Sequence, residues 1–305
     1  MLSDKIFVPP LKIQGIKTKL VPMIRENAAL TEESTWIEPF MGSGVVGFNI
    51  APAKAVFSDA NPHIINFYSH IRDKKITAHI ARDFLEQEGA KLSELDAEYY
   101  YLVRERFNRT HDPLDFLFLN RSCFNGMIRF NKDYAFNVPY GHKPQRFSKA
   151  YISKIVNQIA YVESKFRDND WTFLCCSFEK AIALADSKSF IYCDPPYIGR
   201  HVDYYDSWDE ASELALCCAL KESGATFMLS TWDHNEYREN QYIASIWGFC
   251  KKMTRDHFYH VGAKEKNRRP MVEALLTNYP QSVNMARSLK NNEQLNMFES
   301  MYPLY

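Results

Sequence analysis

The run Ser189-Phe190-Ile191-Tyr192-Cys193-Asp194-Pro195-Pro196-Tyr197 constrains the chain more than any other stretch. Its first five residues suit a buried strand. Pro195 and Pro196 each fix φ and remove a ladder donor, so that strand must end there. Asp194 precedes a proline and is held extended as well. The product is a stiff loop at the carboxyl end of a strand, where open α/β sheets bind their ligands. It presents one carboxylate, one backbone carbonyl and one flat ring. The exocyclic amine of adenine or cytosine is a poor nucleophile, because its lone pair is delocalised into the ring. Asp194 and the Pro195 carbonyl can each accept one amine hydrogen, while Tyr197 can stack on a base drawn out of a duplex. A tight surface turn with an incidental acid would read the same way in isolation, so the flanking sequence decides.

That sequence alternates strands and helices. Trp36-Ile37-Glu38 is a short apolar strand leading through Pro39-Phe40-Met41 into Gly42-Ser43-Gly44, whose glycines let a backbone approach a cofactor. The spacing is not that of the full dinucleotide fingerprint, so no nicotinamide site is expected. Lys54–Ser58 is a second strand ending at Asp59-Ala60-Asn61-Pro62, where an acid can bind ribose hydroxyls or cap the next helix. Further strands are expected over 172–176, 226–230 and 272–277, with helices over 75–110 and 209–223. Such alternation predicts a mostly parallel sheet with helices on both faces. A length of 305 residues holds one large domain, or one domain with a sizeable insertion.

The charge is distributed unevenly. Lysine plus arginine balance aspartate plus glutamate at 37 each, so a polyanion site must be local. Residues 104–154 carry ten Lys/Arg against four acids, about +6, with aromatics between them. Phe124, Phe130, Tyr134, Phe136, Tyr140 and Phe147 suit stacking or wedging beside phosphate contacts. Within this window Asn125-Gly126 and Lys132-Asp133 read as turns, with Met127–Asn131 and Ala135–Val138 as the arms of a hairpin. A second basic loop, Lys264–Pro270, is a lesser nucleic-acid candidate. The seven cysteines contain no Cys-x-x-Cys pair and sit mostly in apolar runs, which predicts reduced thiols and no zinc site. His257 and His260 lack a third ligand at a convincing spacing, so no metal is expected. With no signal peptide, lipidation motif or apolar run of about 18 residues, the chain is expected to be soluble and cytoplasmic, with no membrane partner.

Five motifs in order resemble the Dam-type (D12 class) DNA adenine-N6 methyltransferases. They are Lys12 to Lys17, Glu38 to Gly44, Asp59-Ala60-Asn61, the Asn120–Gly141 hairpin, and Asp194-Pro195-Pro196-Tyr197. Within that family, the runs Gln14–Leu20, Glu38–Gly42 and Tyr192–Tyr204 are most similar to modification methylases of the EcoRV type. The resemblance implies a prokaryotic or phage enzyme with a Rossmann-like S-adenosylmethionine-dependent sheet and an inserted, mainly helical target-recognition domain bearing a β-hairpin. The expected boundaries are a catalytic core of 1–74 and 166–280, an insertion of 75–165 and a tail of 281–305. S-adenosyl-L-methionine would face Lys17, Phe40, Gly42, Gly44, Asp59, Phe178 and Asp194. Asp194, Pro195, Pro196 and Tyr197 would carry the catalysis. Double-stranded DNA would meet Arg121, Phe124 as wedge, Asn125, Met127 and Arg129 as base readers, Asn137 and Pro139. Acting one strand at a time on a palindrome, the protein is expected to be a monomer. The EcoRV-type likeness implies GATATC, methylated at its first adenine, as protection against a cognate endonuclease. Two positions depart from the family: Ile13 stands for the usual Trp, and Ser177 for the usual Asp before Phe178. Cytosine-N4 or RNA methylation, and a catalytically silent DNA-binding module, are the competing readings.

Overall fold

The predicted strands assemble into one sheet in the computed structural model, which describes residues 5–198, 208–258 and 270–280. The strands are β1 (Thr35–Glu38), β2 (Lys54–Asp59), β3 (Asp170–Cys175), β4 (Phe190–Cys193), β5 (Thr226–His234), β6 (Lys251–Phe258) and β7 (Pro270–Thr277). They lie in the order β3-β2-β1-β4-β5-β7-β6. The first five pair in parallel, and β7 runs antiparallel between β5 and β6. All four residues of β4 are buried, as expected of a central parallel strand covered on both faces. This is the expected Rossmann-like α/β sheet. The strand order reverses between β1 and β4, whose carboxyl ends therefore part into a crevice. The loops after Glu38 and Cys193 open there.

After α1 (Val21–Asn27) and α2 (Val45–Ile50), helices start where the sequence supplies caps. Asn61 accepts from the His63 amide and Pro62 opens α3 (Pro62–Arg72); Asp112 accepts from the Leu114 and Asp115 amides ahead of Pro113 in α6 (Pro113–Ser122). The expected 75–110 helix is two, α4 (Ala78–Leu95) and α5 (Ala97–Thr110). The break falls at Asp96, which takes φ 47°. A long helix over Lys149–Asp168, α7, hands the chain back to β3 and so runs three residues past the expected end of the insertion. Phe107, Leu117 and Val162 from this helical segment share one buried apolar cluster with Trp36, Phe57 and Tyr192 of the sheet. The helical segment is thus fused to the sheet through a common core.

In the basic window one expectation holds and one is corrected. The predicted hairpin arms meet as a short antiparallel pair: the Asn137 amide donates to the Arg129 carbonyl (3.1 Å) and the Asn131 amide to the Ala135 carbonyl (2.9 Å), with bridges joining Phe130 to Phe136 and Cys123 to Tyr140. Side chains add to this pairing. Asn108 of α5 accepts from the Phe136 amide (2.7 Å) and donates to its carbonyl (3.2 Å), and the Asn131 carboxamide oxygen accepts from the Ala135 amide. Arg106, counted among the basic residues, is absorbed by the acids Glu88 and Asp115, which are buried among α4, α5 and α6. Among the described residues no helix is long and apolar enough to cross a membrane, and no group of three potential metal ligands occurs. His260, the Lys264–Arg269 loop, residues 199–207 and the tail lie outside the described residues.

Candidate active site

The acidic corner forms where β4 stops. Asp194 leaves the strand with its side chain 22% exposed, and both of its contacts fall on one oxygen. Lys17 Nζ lies 3.0 Å from Oδ1, and Ser230 Oγ donates to the same atom at 2.8 Å. Tyr192 extends this chain by donating to Ser230 Oγ at 3.1 Å. Burial pushes the Asp194 carboxyl above its ordinary value, with Lys17 and Ser230 opposing. One oxygen is therefore anchored by two donors. Lys17 itself is buried, donates to the Gly15 carbonyl at 2.7 Å, and sits 4.8 Å above the Tyr197 ring. On its far edge the Tyr197 hydroxyl donates to Glu273 Oε1 of β7 at 3.1 Å.

A second cluster occupies the β1 side. Gly42 and Gly44 adopt left-handed φ of 49° and 74°, which glycine takes without Cβ strain. Asp59 at the end of β2 straps the turn: its Oδ2 accepts from the Gly42 amide (2.9 Å) and its Oδ1 from the Asn61 amide (2.8 Å). The capping role considered for Asp59 passes to Asn61. Burial raises the Asp59 carboxyl, and those two amides offset it. Phe40 stacks on Phe178 at 5.5 Å, and the Trp208 ring closes on both at 5.6 Å. Ile13 lies over Gly42, 3.9 Å from where a Cβ would stand. Together these groups offer apolar ring faces, side-chain-free backbone and a carboxylate. That donor set fits the adenine, methionine and ribose portions of S-adenosylmethionine. Glu38, next to the turn, accepts from Trp36 Nε1 at 2.9 Å, and burial raises its carboxyl to about 8.

The residues expected at DNA separate into outward and inward groups. Phe124 is half exposed on a 3₁₀ turn in which Asn125 takes φ 53°. Arg129 donates through Nε to Asn137 Oδ1 at 2.8 Å, so the two share one surface of the loop, and the Pro139 carbonyl accepts from the Phe124 amide. Met127 is partly buried against the core. Arg121 departs from expectation: it is 8% exposed and donates to Gln158 of α7 at 2.5 Å. An arginine in a basic window reads as solvated, but this position of α6 faces α7. Desolvation, with Arg146 nearby, lowers Arg121 to about 10. Lys12 falls to about 8 through desolvation and then Arg121 and Arg146.

Three residues that sequence reasoning passed over complete the arrangement. Asn120, wholly buried, accepts from the Lys12 amide and donates to the Lys12 and Gly126 carbonyls, tying the first loop to the 3₁₀ turn. Ser230 and Glu273 hold Asp194 and Tyr197 from strands β5 and β7. Only Glu273 left a signal, as the lone acid inside the apolar run Val272–Leu276.

A family model described as D12 class N6 adenine-specific DNA methyltransferase matches residues 14–261. A DNA adenine methylase of Vibrio cholerae is 34% identical over 192 residues, 61% of this chain and 64% of the relative. The match thus spans a little under two thirds of that relative's length. The type II methyltransferase M.MjaIII of Methanocaldococcus jannaschii is 29% identical over 89% of this chain and 99% of its own length. M.FokI of Planomicrobium okeanokoites is 28% identical over 88% of this chain and 42% of its own.

Proposed function

The chain belongs to the D12 class of N6 adenine-specific DNA methyltransferases, and from that premise we propose that it methylates N6 of an extruded adenine in duplex DNA. The observation that carries this reading is the Asp194 carboxyl at the β1/β4 crevice, anchored through Oδ1 by Lys17 and Ser230 while its side chain stays 22% exposed. Its Oδ2 and the Pro195 carbonyl each accept one N6 hydrogen, drawing the nitrogen toward a tetrahedral form and aiming its lone pair. Pro196 keeps the corner rigid. Lys17 covers one face of Tyr197, so an extruded base stacks on the other. As the new bond forms, the surplus amine proton passes to Asp194 or to water; the burial that raises this carboxyl suits it to receive one.

Lys17, Phe40, Gly42, Gly44, Asp59 and Phe178, with Asp194 between them and the base, are proposed to hold S-adenosylmethionine. When bound, it supplies an electrophilic methyl on a sulfonium. Positioning and electrostatics provide the acceleration. The loop carrying Phe124, Asn125, Met127, Arg129, Asn137 and Pro139 is proposed to face DNA, with Phe124 as the wedge and Arg129 as a base reader. A bidentate arginine–guanine contact discriminates by ~1–3 kcal/mol. We assign the target as GATATC, methylated at its first adenine, by the EcoRV-type likeness of the motif runs; such a protein works as a monomer and protects DNA from a cognate endonuclease.

Base-resolved mapping of methyl groups on duplex DNA containing GATATC, after incubation with S-adenosylmethionine, tests all levels at once. N6-methyladenine at the first adenine is the expected product. Label on cytosine N4, or label appearing only on RNA supplied in a parallel incubation, would refute the reaction class, whereas N6-methyladenine elsewhere would refute only the target. Asp194→Ala should abolish transfer while DNA binding persists; turnover near wild type in that variant would defeat the mechanism.

A further inference from the structure

Tyr197 is held at more points than a stacking platform needs. Its ring has the Lys17 ammonium on one face at 4.8 Å and is only 8% exposed. Its hydroxyl donates to Glu273 Oε1 at 3.1 Å. The next residue, Ile198, accepts through its carbonyl from Trp232 Nε1 at 3.2 Å, and Trp232 packs against Tyr197. Trp232 and Glu273 are direct cross-strand neighbours on β5 and β7, so one site on the sheet grips the loop twice.

Glu273 is the costly member of this set. It is 1% exposed, on a strand whose following residues Ala274, Leu275 and Leu276 are all fully buried. Burying a carboxylate is expensive, and an apolar side chain would close the same sheet without that penalty. A phenol donating to a carboxylate makes a short-range, strongly directional bond. That bond pins the hydroxyl end of the ring and so holds the ring against swinging off the sheet. We propose that Glu273 is a positioning residue that locks the Tyr197 ring into its base-stacking orientation by accepting the phenolic hydrogen. The inference rests on the reading of Tyr197 as the platform for an extruded adenine.

The test uses the full chain, duplex DNA carrying 2-aminopurine in place of the target adenine, and a non-reactive cofactor analogue. Rising fluorescence reports extrusion without chemistry. Tyr197→Phe and Glu273→Leu should each lower the extruded fraction roughly tenfold, as expected for one lost charged hydrogen bond. The double variant should fall no further than either single one, and Glu273→Gln, whose amide oxygen accepts the same hydrogen, should recover most of the signal. A merely structural role for Glu273 would lower thermal stability but add its loss to that of Tyr197→Phe. Additive losses, or Tyr197→Phe extruding like wild type, would overturn the proposal. Should Glu273→Leu not fold, the decision rests on Tyr197→Phe losing the signal while Glu273→Gln keeps it; the reverse pattern rejects the idea. No fluorescence rise in the wild-type protein would instead strike the parent reading, and the proposal with it.

Discussion

Replacing Lys17 by methionine isolates the electrostatics of the acidic corner. The side chain is 5% exposed, and its ammonium lies 3.0 Å from Asp194 Oδ1. At an effective dielectric of about 20, that separation corresponds to a gross attraction of ~5–6 kcal/mol. Desolvation of both groups offsets part of it in the intact pair. Removing one partner nevertheless leaves the other charge buried, which costs ~3–5 kcal/mol. The loss must depend on pH. Burial already places the Asp194 carboxyl above its unfolded value, so the folded state binds its proton more tightly than the unfolded chain does. Stability contributed by such a group falls as pH rises from the ordinary carboxylate range to the folded value. Without Lys17 that folded value climbs and the window widens upward. Urea unfolding of Lys17→Met should therefore show the largest deficit near pH 8 and a smaller one near pH 5, and adding Asp194→Asn should restore most of it. A deficit independent of pH, or below ~1 kcal/mol, would refute the pairing.

Other perturbations test the surroundings of the crevice. Glu38→Gln should flatten the pH dependence of stability between about 4.5 and 8, because the buried acid holds its proton up to about 8 in the fold and releases it near 4.5 when unfolded. Wild type should then lose stability across that window while the variant does not, in chemical unfolding at stepped pH. Gly47→Ala should destabilise by ~1–3 kcal/mol or more, since its Cβ would stand 2.1 Å from Phe57 and 2.5 Å from the Glu38 carboxylate; calorimetry checks this. Asn120→Ala should cost ~3 kcal/mol by orphaning the Lys12 backbone groups. It should also weaken DNA binding in a filter or anisotropy assay by more than it weakens cofactor binding.

Much of this site was legible because its parts are local. Asp194 ends a strand at two prolines, and the turn glycines precede a helix, so short-range backbone chemistry announces both. The alternation of strands and helices likewise predicted the sheet. Contacts between distant strands were not readable. Ser230 and Glu273 meet the Asp-Pro-Pro-Tyr loop only through strand order, 36 and 76 residues away. The hairpin between Arg129 and Asn137 is local and readable, but the helix residue Asn108 that satisfies the outward backbone groups of Phe136 is not. Arg121 was misplaced because charge predicts exposure except where a buried acceptor such as Gln158 waits on another helix.

The amide of Asn120 spans 108 residues of chain to the Lys12 backbone and reaches the Gly126 carbonyl on its other side. Lys12 also packs its aliphatic stem against Gly126, where a Cβ would stand 2.7 Å from it. These two surface segments are consequently one mechanical part. On the proposed DNA-facing role of this loop, one transplanted from a relative would arrive without its matching amino-terminal piece. Retargeting would then require exchanging both pieces together.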